Sequence, residues 1–245
     1  MDFNSHHTYD QAASDAINEA IDDGLRRKRD NQPRRDYLGA SSVGHDCERQ
    51  LEFELAGALK ERDFEAPTLR KFDIGHTLEE LARGWLIDAG FDLLQWTKKG
   101  EPIRFVQLNG RFKGHVDGVV FNGPSIPGLV YPALWEHKGV GNKTYSGIKR
   151  SGLKKNSPGY YAQIQIYMGY LDLGQTLFTV TAAEDGEQQH LIIPYDPDAA
   201  QQYSDRAVRV IKSVDSAILL PRPYKDPSNY HCVGCFYRER CWRLS

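Results

Sequence analysis

The sequence has few cysteines, no long apolar run and no excess of charge of either sign. Its 245 residues include 31 Lys and Arg against 33 Asp and Glu, and the formal net charge is −2. Overall charge therefore does not indicate nucleic-acid binding, and such a role must rest on local charge. The longest apolar stretches, such as 191–193 and 217–220, are far too short to span a membrane. We expect a soluble chain of one large domain, with no membrane partner.

The four cysteines are Cys47, Cys232, Cys235 and Cys241. Residues 1–7 lack the basic start and the apolar segment of a secretory signal, so we expect a cytoplasmic protein whose thiols stay reduced. Clustered cysteines in that setting are metal ligands more often than disulfides. A four-thiolate site would join a segment near the N-terminus to the C-terminal segment.

Local basic charge is concentrated in residues 138–171, which contain no Asp or Glu. Glycines, serines and tyrosines are interspersed with the lysines, and this composition predicts a mobile loop that follows a phosphate backbone. A solvated surface is the simpler alternative. The candidate DNA-binding residues are Lys143, Lys149, Arg150, Lys154 and Lys155.

Hydrophobic periodicity predicts alternating helices and strands. Helices are expected over residues 9–30, from a cap at 41–42 through Cys47 to about 59, and over 68–89, 158–171 and 197–219. Strands are expected over residues 91–97, 101–108, 111–121, 129–138, 175–183 and 188–195, with hairpin turns at 109–110 and 184–187. This order predicts an α/β fold with a mixed β-sheet and helices on its faces.

Two carboxylates and a lysine are predicted to meet at one place in this fold. Asp117 lies at the centre of the strand predicted over 111–121. Glu136 and Lys138 are two residues apart on the next strand and therefore point to the same face. Carboxylates can hold Mg²⁺ or Mn²⁺ for phosphodiester hydrolysis, while the lysine orients or deprotonates water or stabilises the developing charge. Taken alone, Glu-x-Lys is common, and a surface salt-bridge ladder is the simpler alternative.

Two helical patterns support this active-site hypothesis. His76 shares a helix face with Glu79 and Glu80, one turn away, and its imidazole is a candidate metal ligand that shifts preference toward Mn²⁺. Gln163 and Tyr167, at positions i and i+4, can hydrogen-bond a phosphate or brace the catalytic lysine. A structural histidine and ordinary amphipathic packing explain the same residues when each is taken alone.

In this order, the motifs resemble the RecB-type branch of the PD-(D/E)xK nucleases. In that branch, a helical histidine, an aspartate, a Glu-x-Lys motif and a Gln-x3-Tyr motif follow one another in the same order along the chain. One cysteine before these motifs and Cys-x2-Cys-x5-Cys after them resemble the iron–sulfur nucleases of the superfamily, which include the CRISPR-associated adaptation nuclease and the AddB nuclease domain. The resemblance covers about residues 38–243. The chain departs from the family pattern at Val116, which stands where the PD motif has its proline. It departs also at Gly75, which directly precedes His76, whereas the family's usual pattern is Gly-x3-His.

The resemblance implies a restriction-endonuclease-like nuclease domain over 37–245, preceded by a helical extension over 1–36. Segments 41–60 and 228–245 would join at the four-cysteine metal cluster. The implied roles are metal binding by Asp117, Glu136, His76 and the carbonyl of His137, catalysis by Lys138, and support of the DNA-binding side by Gln163 and Tyr167.

The resemblance favours a [4Fe–4S] cluster at the cysteines, whereas their spacing alone would favour Zn²⁺; unligated cysteines are a third alternative. The implied function is a metal-dependent DNA nuclease, with an exonuclease on linear DNA in recombination, repair or phage DNA processing favoured. The alternatives are a CRISPR spacer-acquisition nuclease with a partner protein, an inactive DNA-binding module, or a zinc-stabilised structural protein.

Overall fold

The computed structural model describes residues 10–244. Its helices are α1 Gln11–Asp30, α2 Glu48–Leu55, α3 Ala66–Asp88, α4 Asn142–Ser151, α5 Leu153–Asn156, α6 Pro158–Leu171, α7 Pro197–Ser216, α8 Tyr230–Val233 and α9 Arg238–Arg243. Its strands are β1 Leu38–Gly39, β2 Asp92–Leu94, β3 Arg104–Gln107, β4 Phe112–His115, β5 Gly118–Asn122, β6 Ala133–Val140, β7 Gln175–Ala182 and β8 Gln188–Pro194. The first nine residues of the predicted extension, with the predicted helix start at residue 9, and residue 245 lie outside the described residues.

The strands form two mixed sheets flanked by helices. The larger sheet has the order β2-β5-β6-β7-β8, in which only β6 and β7 are parallel. The smaller has the order β1-β4-β3, with β1 parallel to β4. The mixed α/β fold is therefore confirmed, although the sequence predicted one sheet.

The central strands β6 and β7 of the larger sheet are buried on both faces and carry apolar residues on both sides. Leu134 and Phe178 lie in the core that α6 supplies, whereas Trp135 and Leu177 lie in a second core with Leu86 of α3. Helix α7 packs outside α6, and α2 packs against α7. The strand β6 is thus held between α3 and α6.

The strand predicted over 111–121 is wrong as a single element. It forms β4 and β5, which belong to different sheets, and Val116 and Asp117 connect them. Buried residues continue across this junction, at alternate positions of β4 and at the first three positions of β5. Alternation reports which face is buried, not which strand is the partner, so it cannot reveal the change of sheet.

The mobile basic loop predicted after β6 is also wrong, because α4 and α5 occupy this stretch. Tyr145, Ile148 and Leu153 are buried in the main core. Residues three apart share a helix face, so the burial of Tyr145 and Ile148 stabilises α4 despite its glycine content.

The second predicted helix is shorter than expected. Residues 40–44 form turns, and α2 begins only after Cys47, which occupies its N-cap position. A Cβ placed on Gly44 would lie 2.7 Å from the Cα of Gly159, so this stretch runs tightly against α6. The hairpin turns at 109–110 and 184–187 and the start of α6 at Pro158 are confirmed.

The C-terminal tail is fastened to the chain around α2. The Glu61 carboxylate accepts hydrogen bonds from the backbone N–H groups of Glu239, at 2.8 Å, and Arg240, at 2.7 Å. The rings of Phe53 and Tyr237 pack at 5.5 Å between centroids. No helix within residues 10–244 combines the length and the apolar character that crossing a membrane requires.

Candidate active site

Asp117 is held beside β6 by contacts to its side chain and to its backbone. Its Oδ2 accepts a hydrogen bond from the His137 N–H at 2.9 Å, just before β5 begins, on the edge of β6 that β5 does not reach. Its carbonyl accepts from Gln95 Nε2 at 2.9 Å. Sequence reasoning did not find Gln95, because it follows a three-residue strand and belongs to no motif.

Glu136 and Lys138 lie together on the α6 side of β6, as predicted. The Lys138 ammonium donates to Glu136 Oε1, and Lys138 Nζ lies 5.5 Å from the centre of the Tyr160 ring. The Glu136 side chain is fully buried, and among the described residues its Oε2 has no hydrogen-bond partner. A buried carboxylate oxygen without a partner is costly, and a cation would satisfy it.

Burial and mutual repulsion perturb the ionisation of this group. Burial, then the charge of Asp117, raises the pKa of Glu136 to about 8, and burial raises the pKa of Asp117. Burial alone would lower the pKa of Lys138, but the charges of Glu136 and Asp117 outweigh it and raise that pKa. The lysine is therefore held as an ammonium between carboxylates that repel each other.

Glu79 of α3 is a further member of the site that sequence reasoning did not propose as a ligand. Burial raises its pKa to about 7, and the negative charge of Asp117 contributes. Gly139 lets α3 approach β6, since a Cβ there would lie 2.8 Å from Leu78 Cδ1. The usable signal was the position of Glu79 one turn after His76.

His76 is exposed on α3, and its charge acts on Asp117 by lowering the pKa of that carboxyl. The His137 side chain points to the opposite face of the sheet, as expected, with Nε2 3.0 Å from Thr181 Oγ1. Burial, reinforced by the charge of Lys138, lowers the pKa of His137 to about 4. Its imidazole is thus neutral and lies away from Asp117.

Gln163 and Tyr167 brace the strand that leads to Asp117. The Tyr167 hydroxyl donates to the His115 carbonyl at 2.6 Å and accepts from Gln163 Nε2 at 3.3 Å. Both side chains are buried. Gly114 makes this packing possible, because a Cβ there would lie 2.4 Å from the Tyr167 ring. The pair lies behind the carboxylates, which corresponds to a positioning role.

The five candidate DNA-binding residues separate into different environments. Lys154 is paired with Asp196 at 3.1 Å, whereas Lys143 and Arg150 line a pocket beside Tyr160. The other two, Lys149 and Lys155, are exposed.

The four cysteines line a single cavity between α2 and the tail. All four are half-buried, and none forms a disulfide. Burial raises the pKa of Cys235 to about 11 and also raises that of Cys47. The segment at the start of α2 and the tail therefore meet at a cavity lined by four thiols, and metal binding there would release protons from Cys47 and Cys235.

No three His, Cys, Asp or Glu side chains of residues 10–244 are spaced to hold a single metal ion.

No protein-family model matches this chain, and no curated protein matches it in sequence. Solved structures match in fold. The alkaline exonuclease LHK-Exo from Laribacter hongkongensis has 18% sequence identity and a TM-score of 0.55, and the match covers 76% of this chain and 91% of that one. Its complex with dAMP has a TM-score of 0.52, 18% identity and the same coverages, 76% and 91%.

The protein SSO0001 has 13% identity and a TM-score of 0.53 over 92% of this chain and 96% of that one. A phage-related exonuclease from Haemophilus somnus 129PT has 17% identity and a TM-score of 0.50 over 74% of this chain and 95% of that one. At these identities the matches establish the fold alone.

Proposed function

We propose that the chain is a DNA nuclease that uses Mg²⁺ or Mn²⁺ at Asp117 and Glu136. The observation that carries this proposal is the unpartnered, buried Oε2 of Glu136 beside a second carboxylate and a lysine. A structural salt bridge would leave no oxygen of a buried carboxylate unsatisfied.

The protein groups have distinct parts in the proposed reaction. A divalent cation supplies Lewis-acid stabilisation of charge on the scissile phosphate. Lys138, held as an ammonium, orients the attacking water and stabilises developing negative charge, since its raised pKa disfavours a role as base. Gln95 positions Asp117 through a hydrogen bond to its backbone carbonyl. Tyr167 positions it through a hydrogen bond to the carbonyl of His115, two residues earlier.

The fold neighbours support an exonuclease acting on the ends of linear DNA. Two of them are exonucleases, and one of these has been observed with dAMP. The phage-related neighbour supports a role in phage DNA processing or recombination.

The proposed activity is tested on end-labelled linear DNA and on closed circular DNA. We expect Mg²⁺ or Mn²⁺ to support digestion of the linear substrate and EDTA to stop it. Lys138→Ala and Asp117→Ala should each abolish cleavage while the far-UV circular dichroism is unchanged. Wild-type digestion by either variant would show that the site is assigned wrongly.

We further propose that the four cysteines hold a [4Fe–4S] cluster, with Zn²⁺ as the competing occupant. The four free thiols that line one cavity support a metal site there, and the sequence resemblance favours the cluster as its occupant. Protein purified without oxygen should be brown and contain about four iron and four sulfide per chain. One zinc per colourless chain would establish the alternative.

A further inference from the structure

A pocket that opens beside the candidate active site has no assigned role. It lies among α4, α5 and the start of α6, and its volume is about 580 Å³. Small-molecule pockets occupy roughly 300–1,000 Å³, so this one has room for a single nucleotide. Its wall combines the cations Lys143 and Arg150 with Thr144, Asn156, Ser157 and Tyr160.

The two cations in this wall are available to a ligand. Among residues 10–244, neither the Lys143 nor the Arg150 side chain forms an ion pair or a hydrogen bond. Lys154, in contrast, is paired with Asp196 at 3.1 Å. No Asp or Glu is among the residues that line the pocket. An anion is therefore the matching ligand.

The pocket wall depends on a close contact between α4 and α5. Asn156 lies directly over Gly147, where a Cβ would be only 2.1 Å from Asn156 Nδ2. The small residue on α4 thus lets the amide lie along the wall beside Ser157. These two side chains add neutral hydrogen-bonding groups to the two positive charges.

Tyr160 connects this pocket to the catalytic lysine. Its ring lines the pocket, and the Lys138 Nζ lies 5.5 Å from the centre of the same ring. A DNA strand whose scissile phosphate lies at Lys138 would therefore lie next to the pocket, with the Tyr160 ring between them. An aromatic side chain beside unpaired cations is the combination that binds single-stranded nucleic acid.

We propose that this pocket binds one nucleotide of the strand being digested, adjacent to the scissile linkage, with its phosphate between Lys143 and Arg150. The inference rests on the proposed nuclease function and adds to it a subsite for an unpaired strand. It also distinguishes these two cations from the other basic residues of 138–171.

The test measures binding of a short, fluorescein-labelled, 5′-phosphorylated oligothymidylate by anisotropy. Every variant carries Lys138→Ala so that the probe stays intact. We expect Lys143→Ala and Arg150→Ala each to weaken binding about fivefold to tenfold. Each should also reduce the magnitude of the slope of log K against the logarithm of the salt concentration by about 0.7. Lys212→Ala is the matched control, because it removes the same charge from an exposed position on α7 outside the pocket. Lys149→Ala, on the same helix, should have the smaller effect of at most about twofold.

A neutral methylphosphonate placed at successive linkages of the probe identifies the phosphate. At one linkage next to the scissile position, the methylphosphonate should weaken binding to the Lys138→Ala protein. The same methylphosphonate should cause no additional loss of binding to the variant that carries both Lys138→Ala and Arg150→Ala. Additive losses at every linkage would overturn the proposed contact.

Equal losses for Lys143→Ala, Arg150→Ala, Lys149→Ala and Lys212→Ala would show a diffuse basic surface and overturn the subsite. Unchanged binding by both pocket variants, with circular dichroism and thermal unfolding as before, would overturn it as well. Either result leaves the nuclease proposal standing if divalent cations support cleavage by the protein that retains Lys138. If Asp117→Ala instead cleaves DNA at the wild-type rate, the assignment of the active site fails, but the binding result is unaffected.

Discussion

Glu136 lies in an environment that is unfavourable for a charge, and the protein tolerates it. The side chain is fully buried, it lies near Asp117 and Glu79, and Lys138 satisfies only one of its oxygens. Burying a charge that is only partly compensated costs several kcal/mol or more as an order of magnitude, so this arrangement exchanges stability for a binding site.

The raised pKa of Glu136 predicts how stability depends on pH without divalent cations. A carboxyl whose pKa rises from 4.5 to about 8 on folding binds its proton more tightly in the folded state. Its stabilising contribution is present below pH 4.5 and is lost as the pH rises toward 8. In EDTA, the melting temperature should therefore fall across this range, and less so in Glu136→Gln.

Thermal unfolding between pH 5 and 9 checks this expectation, with Glu80→Gln as the control because Glu80 is exposed and pairs with Arg83. Mg²⁺ or Mn²⁺ should raise the melting temperature most at the alkaline end, where the carboxylates are ionised. The same pH profile for Glu136→Gln and wild type would contradict the assignment.

Glu79 is expected to help hold the cation or its waters. Glu79→Gln removes a charge that acts directly on Asp117. The Mg²⁺ concentration for half-maximal cleavage should rise about tenfold, the scale seen when groups around metal ligands are changed. Glu80→Gln, one residue away, should leave that concentration unchanged. A titration of cleavage rate against Mg²⁺ separates the two variants.

At the scale of elements, the site depends on how closely β4, α6 and β3 pack. A Cβ on Gly114 would lie 2.4 Å from the Tyr167 ring, 2.7 Å from the Phe105 ring and 2.8 Å from Ala40 Cβ. Neither rings nor a neighbouring Cβ can move away easily, so the strand itself must shift. Asp117 lies three residues later, in the connection that follows β4.

Gly114→Ala should therefore destabilise the fold by about 1–3 kcal/mol, the usual range for overpacking a core. Cleavage should fall more than stability does, because the bond from Tyr167 to the His115 carbonyl positions Asp117. Gly84→Ala is the control: no atom lies within 4 Å of a Cβ there, and alanine favours the α3 helix. Urea unfolding and cleavage rates measured below the transition test the prediction.

At the scale of the molecule, the two ends of the domain are linked through α2. The tail reaches Glu61 by two backbone hydrogen bonds, and Arg222 donates to the Cys241 carbonyl at 2.7 Å. The thiol cavity lies between these contacts. Filling it would therefore stabilise the closure of a loop of nearly two hundred residues.

Cys235→Ser should lower the melting temperature and expose the tail to protease, because one of the four ligands of the proposed cluster is lost. Limited proteolysis followed by mass spectrometry should locate early cleavage after residue 220, in the tail. Val233→Ser is the control, since Val233 is half exposed and does not line the cavity. Equal protection of Cys235→Ser and wild type would mean that the thiols contribute nothing to the closure.

The sequence predicted most elements of this fold, because their signals are local. Pro158 marks the start of α6, and Asn109-Gly110 marks the turn between β3 and β4. The sequence did not predict which strands pair when the partners are far apart along the chain. The apolar alternation at 111–121 does not show that the strands on either side of Asp117 join different sheets.

The candidate site divides in the same way. The sequence by itself determined that Glu136 and Lys138 share a face, because strand geometry places residues i and i+2 together. Only the tertiary structure decided that Glu79 joins them and that Gln95 holds the Asp117 backbone. Those contacts depend on the approach of α3 and β2 to β5 and β6, and no local pattern encodes the distance between separate elements.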